Sequence, residues 1–302
     1  MKILVTDQLH TEGISYIKSQ GIEVDERLDL TGEDLKRIIG DYEGLIVRSR
    51  TKVTKEVIEA GKKLLVVGRA GVGLDNVDTT FAIARNIKVL NTPNVSTTSV
   101  AELVIGYMIS AVRHIPQATV SIQAGQWEKE KFFGTELAEK TLGIVGLGRI
   151  GNAVAIRARA FEMKIIGFDP FVANSEYVKV VDLDTLVRES DFITVHVPLT
   201  ENTHHMISSR EVKKMKRGVV LINAARGGIL DEDAIDQGMK EGIVSSVALD
   251  TFESEKPFKT ILRGQENLIA TPHVGAQTEE AQRRAGIEVG KVVVEYLKQA
   301  VK

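Results

Sequence analysis

Short apolar runs recur along the chain between longer stretches in which apolar residues return every third or fourth position. Each run ends at or close to Gly, Asp, Asn or Pro. In the first third the runs cover residues 3–6, 45–47, 64–67 and 87–90, with amphipathic stretches at 35–39 and 53–60 between them. Such runs, separated by helical patterns, predict parallel strands buried on both faces and joined by helical crossovers. Residues 99–120 differ. They are apolar at helical spacing and follow Thr97 and Thr98, which predicts one long connecting helix capped by those threonines. The alternation resumes at 142–145, 164–168, 192–195, 219–222, 247–249 and 268–270, giving six strands of a second, larger α/β domain. The tail from Glu279 to Lys302 reads as a helix with Ile287, Val293, Val294 and Leu297 on one face. Gly290 among them leaves room for a close neighbour, and the helix is expected to return to the first domain.

Composition narrows the functional classes. The chain has 302 residues, 43% hydrophobic and 26% charged, which favours two domains over one. Thirty-nine Lys plus Arg against 41 Asp plus Glu give a formal charge of −2, so the basic footprint of a nucleic-acid binder is missing and any anion site must be local. With no Cys there is no disulfide, thiol nucleophile or Cys-based metal site, which agrees with a reducing, cytoplasmic setting. The opening MKILVTDQLH reads as a first strand rather than an export signal. The apolar stretch 103–112 is short and interrupted by Gly106 and Ser110, so no membrane partner is expected.

Gly146-Leu147-Gly148-Arg149-Ile150-Gly151 follows a predicted strand and opens a helical pattern running to about Phe161. The first glycine permits a tight turn, the second lets backbone approach a pyrophosphate, and the third lets helix and strand pack closely. A glycine-rich loop of any doubly wound sheet has part of this pattern. The next strand ends in Asp169, where a carboxylate can bond both adenosine-ribose hydroxyls and repel a 2′-phosphate. Motif, strand, helix and acid together predict NAD rather than NADP.

Hydride transfer needs a proton-exchanging group and a cation for the substrate. His10, His114, His204 and His205 stand in polar contexts and read as solvated; His196 closes a strand, where its backbone can line a cofactor cleft. His273, in Thr271-Pro272-His273-Val274-Gly275, follows a parallel strand at its carboxyl end, where open α/β sheets place ligands. Arg226 lies in Asn223-Ala224-Ala225-Arg226-Gly227-Gly228, where small neighbours let a planar guanidinium approach a carboxylate; a structural ion pair is the other reading. Glu255 acquires a role only if it meets His273, whose orientation it would then fix, and is otherwise a surface charge. No metal site is expected.

These segments, with Gly44-Leu45-Ile46-Val47-Arg48-Ser49, the run from Val67-Gly68-Arg69-Ala70-Gly71 to Asp78, and Asn91-Thr92-Pro93-Asn94, resemble the D-isomer-specific 2-hydroxyacid dehydrogenases over nearly the whole chain. The resemblance implies two Rossmann-like, doubly wound parallel-sheet α/β domains. A discontinuous, flavodoxin-like substrate domain would comprise residues 1–97 and 278–302, and an NAD-binding domain residues 98–277. It implies Arg226, Glu255 and His273 as the catalytic set, with His273 as acid/base, Glu255 as its partner and Arg226 on the substrate carboxylate. Cofactor contacts would fall on Gly146, Gly148, Arg149, Ile150, Gly151 and Asp169. Further ones would be Thr200, Ala224, Ala225, Arg226, Asp250, His273, Gly275 and Ala276.

The members that oxidise 3-phosphoglycerate, the first step of serine synthesis, are the most similar, and the segment 132–137 adds to that likeness. A phosphorylated acid needs extra cationic contacts, which makes Arg48 and Arg69, with Ser49 and Gly71, the expected substrate contacts. Glyoxylate or hydroxypyruvate reduction is the alternative on the same scaffold. A dinucleotide-regulated corepressor is the non-enzymatic one, against which Arg226, Glu255 and His273 weigh. In the family the glutamate directly precedes a proline, but here Lys256 separates Glu255 from Pro257, which leaves Glu253 as a substitute. Longer members continue into a serine-binding regulatory domain, and read as a short form this chain is expected to escape serine inhibition. The resemblance also implies a homodimer through the cofactor domain, with residues 127–137 reaching across; tetramers also occur in the family.

Overall fold

The computed structural model of the protein describes residues 1–255 and 257–300. They divide into two compact units, Met1–Ser96 with the chain from Ala276 onward, and Thr97–Gly275. The second crossing thus lies between Gly275 and Ala276, two residues before the expected boundary, and puts Ala276 with the first unit.

The first unit runs β1 (Lys2–Val5), α1 (Thr11–Ser19), β2 (Glu23–Glu26), α2 (Gly32–Ile38), β3 (Gly44–Val47), α3 (Lys55–Ala60), β4 (Val66–Arg69), α4 (Thr79–Ala84) and β5 (Lys88–Asn91), and is completed by the C-terminal helix (Glu279–Ala300). All neighbouring strands pair parallel in the order β2-β1-β3-β4-β5, the flavodoxin-like order. Successive residues of each strand feed opposite faces, which is why the runs are continuously apolar. Ile3, Val5, Ile46 and Val66 pack with Ile17, Val289, Val293 and Leu297, whereas Leu4, Leu45, Val47 and Val67 pack with Leu35, Val57 and Ile58.

The C-terminal helix lies on α1 at a crossing made by glycines: a Cβ on Gly13 would overlap the carbonyl group of Gly286. His10, read as solvated, caps α1 by accepting the N–H of Glu12 at Nδ1, 3.3 Å away. The strand expected at 64–67 begins two residues later, and Val53 pairs with Val77 in an isolated bridge instead of opening α3. β2 answers no apolar run in the sequence; it is an edge strand, Glu-Val-Asp-Glu, held by its ladder to β1.

The second unit begins with α5 (Thr97–Arg113) and α6 (Ile115–Gln123), where one helix over 99–120 was expected. His114 breaks it in the left-handed region (φ 51°), and Pro116 cannot donate to the preceding turn. Thr97 and Thr98 lie inside α5 rather than ahead of it. There follow β6 (Thr141–Val145), α7 (Arg149–Arg159), β7 (Lys164–Phe168), β8 (Lys179–Val180), α8 (Leu183–Glu189), β9 (Phe192–Val195), α9 (Ser209–Val212), β10 (Val219–Asn223), α10 (Glu232–Lys240) and β11 (Val244–Leu249). A ribbon of β12 (Ser254–Glu255) and β13 (Phe258–Lys259) precedes β14 (Leu268–Ala270). The parallel sheet has seven strands, β14-β11-β10-β9-β6-β7-β8, one more than expected because the two-residue β8 is too short to leave a pattern. Its order reverses between β6 and β9, the switch point at which such sheets bind ligands. Among the described residues no helix is long and apolar enough to cross a membrane.

Candidate active site

The turn from β6 into α7 is shaped for an anion. Gly146 has φ 96°, and a Cβ there would come within 2.6 Å of the His196 carbonyl oxygen at the end of β9. A Cβ on Gly151 would overlap the Gly146 carbonyl, so that glycine lets helix and turn meet. A Cβ on Gly148 would meet nothing within 4 Å, which marks the open side, and no side chain caps the first turn of α7, where Arg149 is exposed and Ile150 half-buried. The end of an 11-residue helix therefore faces open space with its N–H groups available. Asp169 follows β7 and steadies this turn, accepting the N–H of Leu147 on Oδ2 and of Phe171 on Oδ1, each at 2.9 Å. Each oxygen keeps acceptor capacity for a ribose hydroxyl. These residues fit a dinucleotide.

On the same unit, Arg226 follows β10 in a turn braced by the buried Asn223, whose Nδ2 donates to the Arg226 carbonyl (2.7 Å) and whose Oδ1 accepts the Ala225 N–H (2.9 Å). Ala224 is buried beside it and Arg226 is half-buried, while Thr200 is exposed in a turn closed by Thr203. His273 follows β14 with φ 56°, and its exposed ring turns Nδ1 to Glu255, 3.0 Å from Oε1 and 3.3 Å from Oε2. Glu253 goes elsewhere: its Oε1 lies 2.9 Å from Nε2 of His205, so neither that histidine nor that acid is merely solvated. Behind His273, Asp250 accepts the N–H groups of Val274 and Gly275, both at 2.7 Å, and the Thr271 hydroxyl at 2.5 Å. Tyr107 hydrogen-bonds that same hydroxyl, and burial pushes its phenol well above the usual range. His196 keeps Nε2 on the Thr194 hydroxyl (3.0 Å) with Nδ1 buried, and desolvation pushes the ring down to about 4. It stays neutral, in keeping with a backbone role.

The first unit carries its own cations. Arg48 follows β3 with Nη1 on the Gln8 carbonyl (3.2 Å), and burial lowers its guanidinium from its ordinary value. Ser49 beside it is exposed. Arg69 ends β4, and its guanidinium lies over Gly71 (φ 144°) so closely that a Cβ there would overlap it. Two residues that sequence reasoning passed over organise this segment. Asp7, 4% exposed, accepts the N–H of Arg48 (2.6 Å), the N–H and hydroxyl of Thr51 (3.2 and 2.7 Å) and Nε of Arg50 (3.1 Å). Asn76 donates to the carbonyls of Arg48 and Thr51 at 2.7 and 2.6 Å. Their partners lie 25 to 44 positions away in the chain, beyond the reach of any local pattern.

Among the described residues one group has the ligand types of a metal site, His205, Asp231 and Glu253. The two acids face different ring nitrogens: Glu253 hydrogen-bonds Nε2 at 2.9 Å, and Asp231 lies 3.9 Å from Nδ1.

Comparison with known proteins gives this geometry its context. The pattern of the D-isomer specific 2-hydroxyacid dehydrogenase NAD-binding domain matches residues 105–275. The chain is 48% identical to the D-3-phosphoglycerate dehydrogenase of Methanocaldococcus jannaschii over 99% of its own length, and spans 58% of that longer protein. It is 47% identical to the hydroxypyruvate reductase of Thermotoga maritima, with 98% of each chain covered. Among solved structures, the D-lactate dehydrogenase of Aquifex aeolicus complexed with NAD and lactic acid is similar with a TM-score of 0.86 at 27% identity, covering 100% of this chain and 96% of that one.

Proposed function

Because the chain belongs to the D-isomer-specific 2-hydroxyacid dehydrogenases, we propose that it oxidises 3-phospho-D-glycerate to 3-phosphohydroxypyruvate with NAD, the step that opens a route to L-serine. The observation that carries the reading is the pair His273–Glu255: a ring whose Nδ1 lies 3.0 Å from a carboxylate oxygen and which is otherwise exposed. With Nδ1–H given to Glu255, Nε2 carries the lone pair and can take the proton of the substrate's 2-hydroxyl. Held by the Gly146–Gly151 turn and Asp169, NAD would supply the hydride acceptor for the carbon that bears this hydroxyl. The imidazolium so formed lies against the Glu255 carboxylate, which stabilises it, and in reduction it returns the proton. Arg226 offers a planar fork to the substrate carboxylate. Arg48 and Arg69 are the proposed contacts for the phosphate, and Asp169 the group that disfavours NADP.

A second reading, hydroxypyruvate reduction, is supported by the Thermotoga maritima relative, whose length this chain matches. The deciding experiment measures NADH formation from 3-phosphoglycerate at alkaline pH beside NADP, and beside hydroxypyruvate and glyoxylate reduction. NAD-dependent oxidation that falls by about 10²–10⁴ in His273→Ala supports the first reading. Turnover confined to the unphosphorylated keto acids selects the second, and inactivity with all of them overturns both. We also propose a homodimer through the second unit. Val120, Ile122, Trp127 and Phe133 are 57–91% exposed there, the kind of apolar surface a second copy covers; a monomer by light scattering would contradict it.

A further inference from the structure

Glu255 belongs to neither main sheet. It ends β12, one arm of a ribbon in which Ser254 pairs with Lys259 and Glu255 with Phe258. Two-stranded ribbons of this length are at best marginal by themselves. What fixes Glu255 must come from outside the ribbon, and a buried acid at the start of α10 is built to do it. Glu232, 8% exposed, accepts the backbone N–H of Glu253 on Oε1 at 2.9 Å and the hydroxyl of Thr260 on Oε2 at 2.6 Å. Glu253 directly precedes β12 and Thr260 directly follows β13, so one carboxylate grips both feet of the ribbon. The grip is returned: Oε1 of Glu253 accepts the N–H of Glu232 at 3.4 Å and stands 2.9 Å from His205 Nε2. The edge of Phe258 meets Phe252 with ring centroids 5.0 Å apart, closing the apolar side.

We propose that Glu232 is a positioning residue for the reaction, holding Glu255 against His273 by gripping both feet of the ribbon. This rests on the roles given above to Glu255 and His273. Glu232 itself hydrogen-bonds neither of them. Without its carboxylate, the Glu253 N–H and the Thr260 hydroxyl would lose their partner and the ribbon would swing, and a displacement of about 1 Å in a catalytic group costs on the order of a hundredfold in rate.

The test compares Glu232→Ala, Glu232→Gln and Thr260→Val, each in the wild-type and Glu255→Gln backgrounds. The readouts are the pH profile of kcat/KM for whichever substrate the enzyme oxidises, NADH affinity by fluorescence, and far-UV circular dichroism. Glu232→Ala is expected to lower kcat/KM by about tenfold to a hundredfold. It should also move the pH midpoint of the rate downward, as is expected of Glu255→Gln, while NADH affinity stays within about twofold. Glu232→Gln keeps an acceptor for the Glu253 N–H and should restore most of the rate. In the Glu255→Gln background the alanine should add less than about twofold, because both changes remove the same interaction. A full, multiplicative loss in that background, or an unmoved pH profile, would overturn the proposal and leave Glu232 purely structural. If Glu232→Ala does not fold, Thr260→Val releases one foot and is judged by the same two measures. A Glu255→Gln variant with wild-type rate and profile overturns the role of Glu255 itself, and the proposal with it.

Discussion

Gly275 donates its backbone N–H to Oδ2 of Asp250 at 2.7 Å, so the chain just past His273 is pinned to a carboxylate that is 1% exposed. The other oxygen holds Val274 and Thr271, one on each side of the histidine. The left-handed backbone of His273 costs roughly 1–2 kcal/mol for a non-glycine residue, and this grip is what holds it there.

Replacing Asp250 by Asn turns one acceptor into a donor that, in either orientation of the amide, faces a backbone N–H. The expected loss is about 1–3 kcal/mol of unfolding free energy together with a fall in kcat. Urea unfolding beside initial rates checks it. Unchanged stability would mean that the loop has another anchor.

Asp169→Ser should remove the charge that repels a 2′-phosphate while keeping an acceptor for the Leu147 N–H. NADP use should rise relative to NAD by about tenfold or more in kcat/KM. Coupled assays with both dinucleotides read the ratio directly. A ratio that stays put would show that something other than Asp169 rejects NADP.

His196, pushed down to about 4 by burial, is neutral in the folded chain and protonates more readily once unfolded. The folded state therefore binds fewer protons, so this contribution is fully present above pH ~6.5 and is lost as pH falls towards 4. It amounts to roughly 2–3 kcal/mol across that window. His196→Gln should flatten the acid side of the stability curve measured by denaturant titration between pH 4 and 7. An equally steep fall in the variant would assign the effect to other groups.

Gly13→Ala places a methyl group into the Gly286 carbonyl at the crossing of α1 and the C-terminal helix. Overpacking of this kind costs about 1–3 kcal/mol. A fall in Tm is expected with the second unit's NADH affinity intact. A stable variant would mean that the crossing can open.

Much of the fold was legible because parallel strands buried on both faces leave continuous apolar runs: Phe192–Val195 and Lys164–Phe168 have the predicted bounds. The glycine turn and Asp169 were legible because each glycine has a local steric task. β2 was not, since an edge strand of Glu-Val-Asp-Glu makes no run and exists through its ladder to β1. The break at His114 had a signal in Pro116, which apolar spacing through 120 obscured.

By itself the sequence marked the two parallel sheets, the dinucleotide turn and the strand ends after which Arg226 and His273 stand, because apolar period and glycine placement are local properties. Tertiary structure alone decided that Glu255 rather than Glu253 meets His273, and that Glu253 turns to His205. It also assigned Asp7, Glu232 and Asp250 to partners 21 to 44 residues distant. A buried acid is costly unless donors converge on it, and which donors do so is fixed only when the sheets have formed and brought their loops together.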